Sequence, residues 1–328
     1  MLDDVLAIPD HIRDALWRVE SARLPRGEAA GVLVCGVGGS AIGGDLAVAA
    51  LGERLLRPLL TVRGYELPSW TTPEWAVLCS SYSGETEETL ACFAAAEALG
   101  ARRVVAGTGG SLVEAARAAG DPVIGLPGLL PAPRTAVAYM LVCAAEVAAA
   151  MGIAPRIVGE LDGAAAFLET QKEGLLGAAA DIAARLDGAI PIVYGAGLHT
   201  AAARRWKTQL NENAKLPAFF SALPEADHNE LCGWSAAAPG EGLLAAVLLE
   251  DAGQHPREAR RFELTAASIE AAGATVVRVQ AAGVTAAERL LWTVMLGDLV
   301  SLAVAEGRSI DPLPIEAVDD FKAALGRP

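Results

Sequence analysis

The chain repeats one local pattern, in which a short apolar run ends in a turn of glycine or hydroxyl residues and an alanine-rich helical stretch follows. The apolar runs lie at residues 31–36, 75–79, 102–106, 121–127, 189–194, 242–249 and 275–279. Uninterrupted apolar runs are typical of strands buried on both faces, and strands that alternate with helices form parallel sheets. The pattern breaks near Gly152 and then starts again, so we predict an α/β fold with two doubly wound parallel-sheet domains, residues 1–152 and 153–328.

Three amphipathic or apolar stretches outside this pattern predict helices. They lie at residues 10–22, near 286–305 and at 315–325. With 328 residues, of which 53% are hydrophobic, the chain can bury a large core. These helices are therefore expected to cover the sheets.

The net charge and the cysteine content disfavour several classes of function and of structural site. The net charge of −14 disfavours nucleic-acid binding, which depends on Lys and Arg at phosphates. Five cysteines, with no Cys-x-x-Cys pair or Cys/His cluster, disfavour disulfides and structural zinc. The N-terminus has no basic region before an apolar stretch, and no window approaches about 20 uncharged apolar residues. We expect a cytoplasmic protein that binds neither nucleic acid nor membrane.

Hydroxyl groups crowd the turn at residues 81–86, which we call the serine loop. Ser81, Ser83 and Thr86 stand between a predicted strand and a predicted helix, together with one glycine. A helix N-terminus has free N–H groups and favours an anion, so a phosphate fits here. The alternative is that one hydroxyl simply caps the helix.

The glycine loop, residues 36–44, follows the preceding predicted strand. It departs from Gly-x-Gly-x-x-Gly, and no acidic residue ends a second strand about 20 residues on, so a dinucleotide is disfavoured. Two such turns at the ends of successive parallel strands converge on one compact anion instead. We predict that Gly39 and Ser40 join the serine loop in holding a monophosphate.

The two loops closely resemble the phosphate motifs of sugar isomerase (SIS) domains. Further motifs at residues 209–215, 228–230 and 320–322 resemble the bifunctional phosphoglucose/phosphomannose isomerases of archaea and bacteria, and the resemblance covers nearly the whole chain. It implies flavodoxin-like SIS domains and an enzyme without a cofactor. The implied reaction interconverts glucose 6-phosphate, and in second place mannose 6-phosphate, with fructose 6-phosphate.

Aldose–ketose interconversion needs a base that moves a proton between C2 and C1, and a shielded carboxylate can do so through a cis-enediolate. The resemblance assigns this role to Glu212. Without the resemblance, the local sequence would indicate only a solvated helix residue. Hexose rings must first open, which suits an imidazole. The resemblance assigns ring opening to His228, although a lone loop histidine is more often simply exposed.

The resemblance also implies two further catalytic residues and a dimer. Lys322 matches a lysine that assists ring opening, and Arg134 matches an arginine that could stabilise the enediolate. Each alone would be an unremarkable surface residue. In relatives the histidine comes from the neighbouring subunit, so we expect a homodimer in which His228 crosses the interface.

This route requires no metal, and no metal-ligand spacing is present in the sequence. One departure from the family is that residues 311–316 contain no threonine, which some relatives place near the C2 hydroxyl. The use of mannose 6-phosphate is therefore expected only in second place. A non-catalytic sugar-phosphate sensor is the main alternative. An amidotransferase-type amino-sugar synthase would need a glutamine-hydrolysing domain for which the chain has no room.

Overall fold

The computed structural model describes residues 1–236 and 243–326. Among these residues, five parallel strands form the first sheet: β1 (Val32–Cys35), β2 (Leu59–Val62), β3 (Ala76–Ser80), β4 (Arg102–Gly107) and β5 (Val123–Gly125). Their order is β2-β1-β3-β4-β5. The order reverses between β1 and β3, and doubly wound sheets bind ligands beyond the carboxyl ends of the strands at such a point.

The second sheet repeats this topology on a smaller scale. Its described strands are β6 (Ile190–Gly195), β7 (Phe219–Ala222), β8 (Leu244–Glu250) and β9 (Thr275–Gln280), all parallel, in the order β7-β6-β8-β9. The predicted α/β class with two parallel sheets is confirmed. The edge strands β2 and β7 were not predicted, because most of their side chains are partly solvated and their sequences lack an unbroken apolar run.

Helices cover both sheets. They are α1 (Leu2–Leu6), α2 (Ile8–Ala22), α3 (Gly39–Leu51), α4 (Glu87–Leu99), α5 (Gly110–Ala119), α6 (Val137–Ala150), α7 (Val158–Arg185), α8 (Thr200–Ala214), α9 (Glu230–Ala236), α10 (Pro256–Ala271), α11 (Ala286–Gly307) and α12 (Glu316–Leu325). The predicted helices at 10–22, 286–305 and 315–325 correspond to α2, α11 and α12. Part of the apolar run at 242–249 begins outside the described residues, and its remainder forms β8.

One hydrophobic core runs through both halves. Helices α3 and α6 pack together over the first sheet, α7 and α8 pack on α11 over the second, and α2 meets α7 between them. Hydrophobic burial of this extent is the main source of stability. All strands of the first sheet precede residue 153 and those of the second follow it, so we propose the two domains 1–152 and 153–328.

Two segments are long and apolar enough to cross a membrane by length and composition alone, which the sequence did not predict. They are Pro133–Ala150 and Ala286–Gly307, with 83% and 72% of the tested windows buried. Both contain charged side chains that are buried within the fold, including Arg134, Glu146 and Asp298. Core helices pass the same test, so these two are weak evidence for a membrane.

Candidate active site

The serine loop forms a compact turn between β3 and α4. The Ser81 hydroxyl accepts a hydrogen bond from the Gly84 amide at 3.0 Å and lies 2.9 Å from the Thr86 hydroxyl. Ser81 is buried, so in this arrangement it shapes the turn. Thr86 occupies the N-cap of α4 without a side-chain cap bond, so capping does not account for it. Exposed Ser83 and half-buried Thr86 lie beside first-turn amides that have no intrahelical acceptor.

A third turn supports the serine loop from behind. Gly84 has a φ of 77°, and a Cβ there would overlap the Gly109 carbonyl, so only glycine fits. Glu85 accepts hydrogen bonds from the Ser111 amide at 2.7 Å and from its hydroxyl at 2.9 Å. These bonds lower the pKa of Glu85, the amide contributing most. The carboxylate therefore ties the loop to α5.

The glycine loop lies directly beside the serine loop. Cys35 pairs with Cys79 at the ends of β1 and β3, so both loops leave the same carboxyl edge of the sheet. The Ser40 hydroxyl accepts a hydrogen bond from the Tyr82 amide at 3.2 Å. The two predicted phosphate segments thus meet at the reversal point of the first sheet.

Arg134 reaches this edge because of a close backbone approach. Pro133–Ala136 form a 3₁₀ turn, and a Cβ added at Gly39 would lie 3.1 Å from the Cα of Arg134. This contact is tighter than ordinary side chains accept, so glycine at position 39 lets the arginine backbone pack on the glycine loop.

The Arg134 side chain is only 2% exposed and joins the two halves of the chain. Its Nε donates to Asn213 Oδ1 at 2.7 Å. Its Nη2 donates to the carbonyls of Pro312 and Leu313 at 2.7 and 2.9 Å. Its Nη1 lies 3.5 Å from Glu212 Oε2. Burial lowers the pKa of Arg134 and the Glu212 carboxylate acts in the opposite direction, so the guanidinium remains a fixed cation.

Glu212 lies in the last turn of α8, between this arginine and solvent. Its side chain is 30% exposed, which leaves the carboxylate reachable by a ligand but partly shielded from water. The next residue, Asn213, is fully buried and holds both Arg134 and the Ser301 hydroxyl, the latter at 2.8 Å. A carboxylate held beside a guanidinium can accept and return a proton at one position.

A buried ion pair supports Arg134 from below. Arg205 donates to both oxygens of Asp298, at 2.9 and 2.6 Å, and to the Arg134 carbonyl at 2.9 Å. Burial raises the pKa of Asp298, and Arg205 opposes this shift. This pair fixes α8 and α11 relative to the 3₁₀ turn that carries Arg134. The sequence analysis missed it, although an acidic residue inside an apolar helix such as α11 was an available signal.

Lys215 ends α8 in the left-handed region, with a φ of 51°. Its ammonium donates to the carbonyls of Glu212, Asp311 and Pro312 at 2.7, 3.2 and 3.3 Å. Burial, and then Arg134, lower its pKa. No role was predicted for Lys215 or for the segment 311–313, because contacts of this sequence separation leave no periodic pattern.

His228 does not lie near Glu212 within this chain. It ends the 3₁₀ turn Glu225–His228, which follows β7 at the carboxyl edge of the second sheet, where the Leu223 amide donates to the Gly195 carbonyl at 3.0 Å. Glu212 lies at the C-terminal end of α8, near the amino ends of the strands of the second sheet. Twelve residues of helix separate the two edges by about 18 Å. The His228 side chain is exposed and has no hydrogen-bond or ion-pair partner among the described residues.

Lys322 lies on α12, which has no buried residue. Its ammonium makes no hydrogen bond or ion pair with another described residue. Phe321, next to it, is 67% exposed. The helix follows directly on the segment 311–313 that Arg134 and Lys215 hold, so its first residues lie near Glu212.

A further histidine, which is buried, lies in the second half of the chain, away from the site of Glu212. Buried His199 lies 3.3 Å from Asp251, at the start of α8, away from Glu212. Across residues 1–236 and 243–326, no group of three or more His, Cys, Asp or Glu side chains could hold a metal ion.

Comparison with known proteins places the chain among sugar-phosphate enzymes. The family model for the bacterial phospho-glucose isomerase C-terminal SIS domain matches residues 177–325. Bifunctional phosphoglucose/phosphomannose isomerase of Aquifex aeolicus is 34% identical over 90% of this chain and 90% of its own length. The enzyme of that name from Caldicellulosiruptor bescii is 31% identical over 99% and 98%. A hypothetical protein, TT0462, of Thermus thermophilus has the same fold, with a TM-score of 0.74, 17% identity and 99% and 89% coverage.

Proposed function

We propose a specific reaction for this chain, from the premise that it belongs to the family of bifunctional phosphoglucose/phosphomannose isomerases and is a sugar phosphate isomerase. The reaction is the metal-independent interconversion of glucose 6-phosphate, and in second place mannose 6-phosphate, with fructose 6-phosphate. The observation that carries it is the position of Glu212 beside the Arg134 guanidinium, against the glycine loop.

The phosphate binds at the reversal point of the first sheet. The exposed hydroxyl of Ser83, with Thr86 and the first-turn amides of α4, supplies donors. Gly39 begins α3 on the adjacent loop, where its missing Cβ lets the Arg134 backbone pack. Ser40 links the two loops through the Tyr82 amide, and Ser81 shapes the serine loop. Both hydroxyls accept these backbone hydrogen bonds, so neither bond uses the hydroxyl proton that a phosphate would accept. Binding at this edge directs the sugar towards the second half of the chain.

Glu212 then moves the proton between C2 and C1. Removal of the C2 proton of the aldose forms the C1–C2 double bond and places negative charge on O1. The hydroxyl proton then moves from O2 to O1, and return of the first proton to C1 gives the ketose. Arg134 is a buried cation within 3.5 Å of the Glu212 carboxylate, so it stabilises this charge without the cost of reorganising water. Its charge also supplies what a metal would provide in a Lewis-acid route.

Ring opening requires the second subunit. His228 and Glu212 lie at opposite edges of the second sheet, so one chain cannot bring both to one substrate. We propose a cytoplasmic homodimer in which His228 of one chain enters the site built by the other, with Lys322 on the arm that leaves that site. Symmetric dimers share residues in this reciprocal way.

Subunit complementation tests this arrangement. Glu212→Gln and His228→Ala chains are each expected to be inactive alone. When they are coexpressed and assemble at random, half of the dimers are mixed and each has one complete site, so about a quarter of wild-type activity should return. If His228 acts within its own chain, no mixed dimer has a complete site and activity stays absent.

A non-catalytic sugar-phosphate sensor remains the second candidate, because the phosphate loops alone support binding. Purified protein treated with a chelator is incubated with fructose 6-phosphate, and glucose and mannose 6-phosphates are measured. Formation of either aldose supports the isomerase, and binding without conversion supports the sensor.

A further inference from the structure

The segment 311–313 is held by two cations from distant parts of the sequence. Lys215 donates to the carbonyls of Asp311 and Pro312 at 3.2 and 3.3 Å, and Arg134 donates to those of Pro312 and Leu313 at 2.7 and 2.9 Å. Three successive carbonyls thus accept four hydrogen bonds from ionised donors, which are the stronger kind. We call this arrangement the clamp.

The clamp is continuous with Glu212. The same Lys215 ammonium donates to the Glu212 carbonyl at 2.7 Å, at the C-terminal end of α8, where a cation is favoured by the helix dipole. The left-handed backbone of Lys215 is an uncommon conformation for a side-chain-bearing residue, and it turns the lysine back over this helix end. The base and the segment 311–313 are therefore fixed to one ammonium group.

Apart from the clamp, few contacts within the described chain fix the position of α12, the C-terminal helix. The Leu313 amide donates to Asp311 Oδ1 at 2.9 Å, which shapes the turn before α12. Helix α12 itself buries no residue. Within one chain, the clamp is thus the point that determines where α12 and Lys322 lie relative to Glu212.

We propose that Lys215 is a positioning residue for the isomerase reaction, which clamps the root of α12 and thereby aligns Lys322 with the site of Glu212. This inference rests on the proposed function for the role of Lys322. Lys215 touches no reacting atom in this account. A misplacement of about 1 Å can cost about 100-fold in rate, so kcat of Lys215→Met should fall by about that factor while KM changes little.

Hydrogen–deuterium exchange of the clamp tests the structural half of the proposal and does not depend on turnover. Lys215→Met should speed amide exchange in residues 311–326 and leave the strands of the first sheet unchanged. Lys207→Met is the matched control, because Lys207 is half-buried on the same helix and makes no hydrogen bond or ion pair with a described residue. Unchanged exchange in 311–326 would overturn the clamp.

A double-mutant cycle tests the functional half. If Lys215 acts through Lys322, the double variant Lys215→Met/Lys322→Met should lose no more kcat than Lys322→Met alone, and Lys215→Arg should restore part of the rate. Losses that multiply in the double variant would overturn the positioning role. If wild type binds fructose 6-phosphate but never converts it, the proposed function fails, while the exchange experiment still decides on the clamp.

Discussion

Replacing Arg134 by lysine separates the charge of this residue from its shape. The guanidinium donates in three directions, to Asn213 through Nε and to the carbonyls of Pro312 and Leu313 through Nη2, while Nη1 faces Glu212. An ammonium keeps the charge but donates from a single point, so it cannot reach acceptors on opposite sides. Arg134→Lys should therefore leave at least two of these acceptors without a donor.

The magnitude follows from where those acceptors lie. Asn213 is fully buried, so its orphaned oxygen costs about 2 kcal/mol, whereas the Leu313 carbonyl is nearer solvent and costs about 1 kcal/mol. The Pro312 carbonyl keeps its hydrogen bond from Lys215. We expect the free energy of unfolding to fall by about 3 kcal/mol. Loss of one positioned donor to a developing oxyanion typically costs 10²- to 10³-fold in rate, so kcat should fall by about 10²-fold or more.

Urea unfolding and steady-state kinetics with fructose 6-phosphate measure the two effects in one protein. Arg13→Lys is a suitable control, since Arg13 is exposed and its ion pairs with Asp10 and Asp162 are worth little. A variant that is destabilised as expected but keeps kcat within about threefold would refute the proposed stabilisation of the enediolate. Unchanged stability would refute the count of orphaned acceptors.

Two further predictions concern the serine loop. Gly84→Ala should raise KM for sugar phosphates by at least about tenfold, because the added Cβ would overlap Gly109 and displace the loop. A tenfold change in KM corresponds to about 1.4 kcal/mol of binding free energy. The control is Gly188→Ala, which should leave KM unchanged because Gly188 has a similar φ of 74° but no atom near the added Cβ. The pKa of Glu85 is lowered on folding, so its stabilising contribution is present above the unfolded pKa of about 4.3 and is lost as pH falls through the folded value. The stability difference between wild type and Glu85→Gln should therefore shrink in acid, and a difference that does not depend on pH would contradict the assigned bonds to Ser111.

The sequence predicted the buried part of the fold well because burial leaves a local signal. Strands such as β1 and β3 are covered on both faces, so each reads as an unbroken apolar run that a glycine or serine ends. Edge strands β2 and β7 are half solvated and carry mixed sequences, so no comparable signal existed. The serine and glycine loops, where we propose that the phosphate binds, could be located from the same local pattern.

The second half of the candidate site could be named only through family resemblance. Glu212 and His228 have ordinary local sequences, and their positions at opposite edges of a sheet follow from topology. The contacts of Arg134 with Asn213 and with segment 311–313 link residues far apart in the chain, which no periodicity encodes. Lys215 shows the limit most clearly, since two of its three acceptors, the carbonyls of Asp311 and Pro312, lie 96 and 97 residues away in the chain.

Exchange of the C1 protons of fructose 6-phosphate with deuterated water tests the central claim, proton transfer by Glu212, most directly. Wild type should incorporate deuterium at C1 as the enediolate forms and returns, and Glu173→Gln, an exposed control on α7, should do the same. Glu212→Gln should bind the ketose with similar affinity and incorporate none, because an amide cannot act as the base. Exchange by Glu212→Gln at the wild-type rate would contradict the assignment of Glu212 as the base.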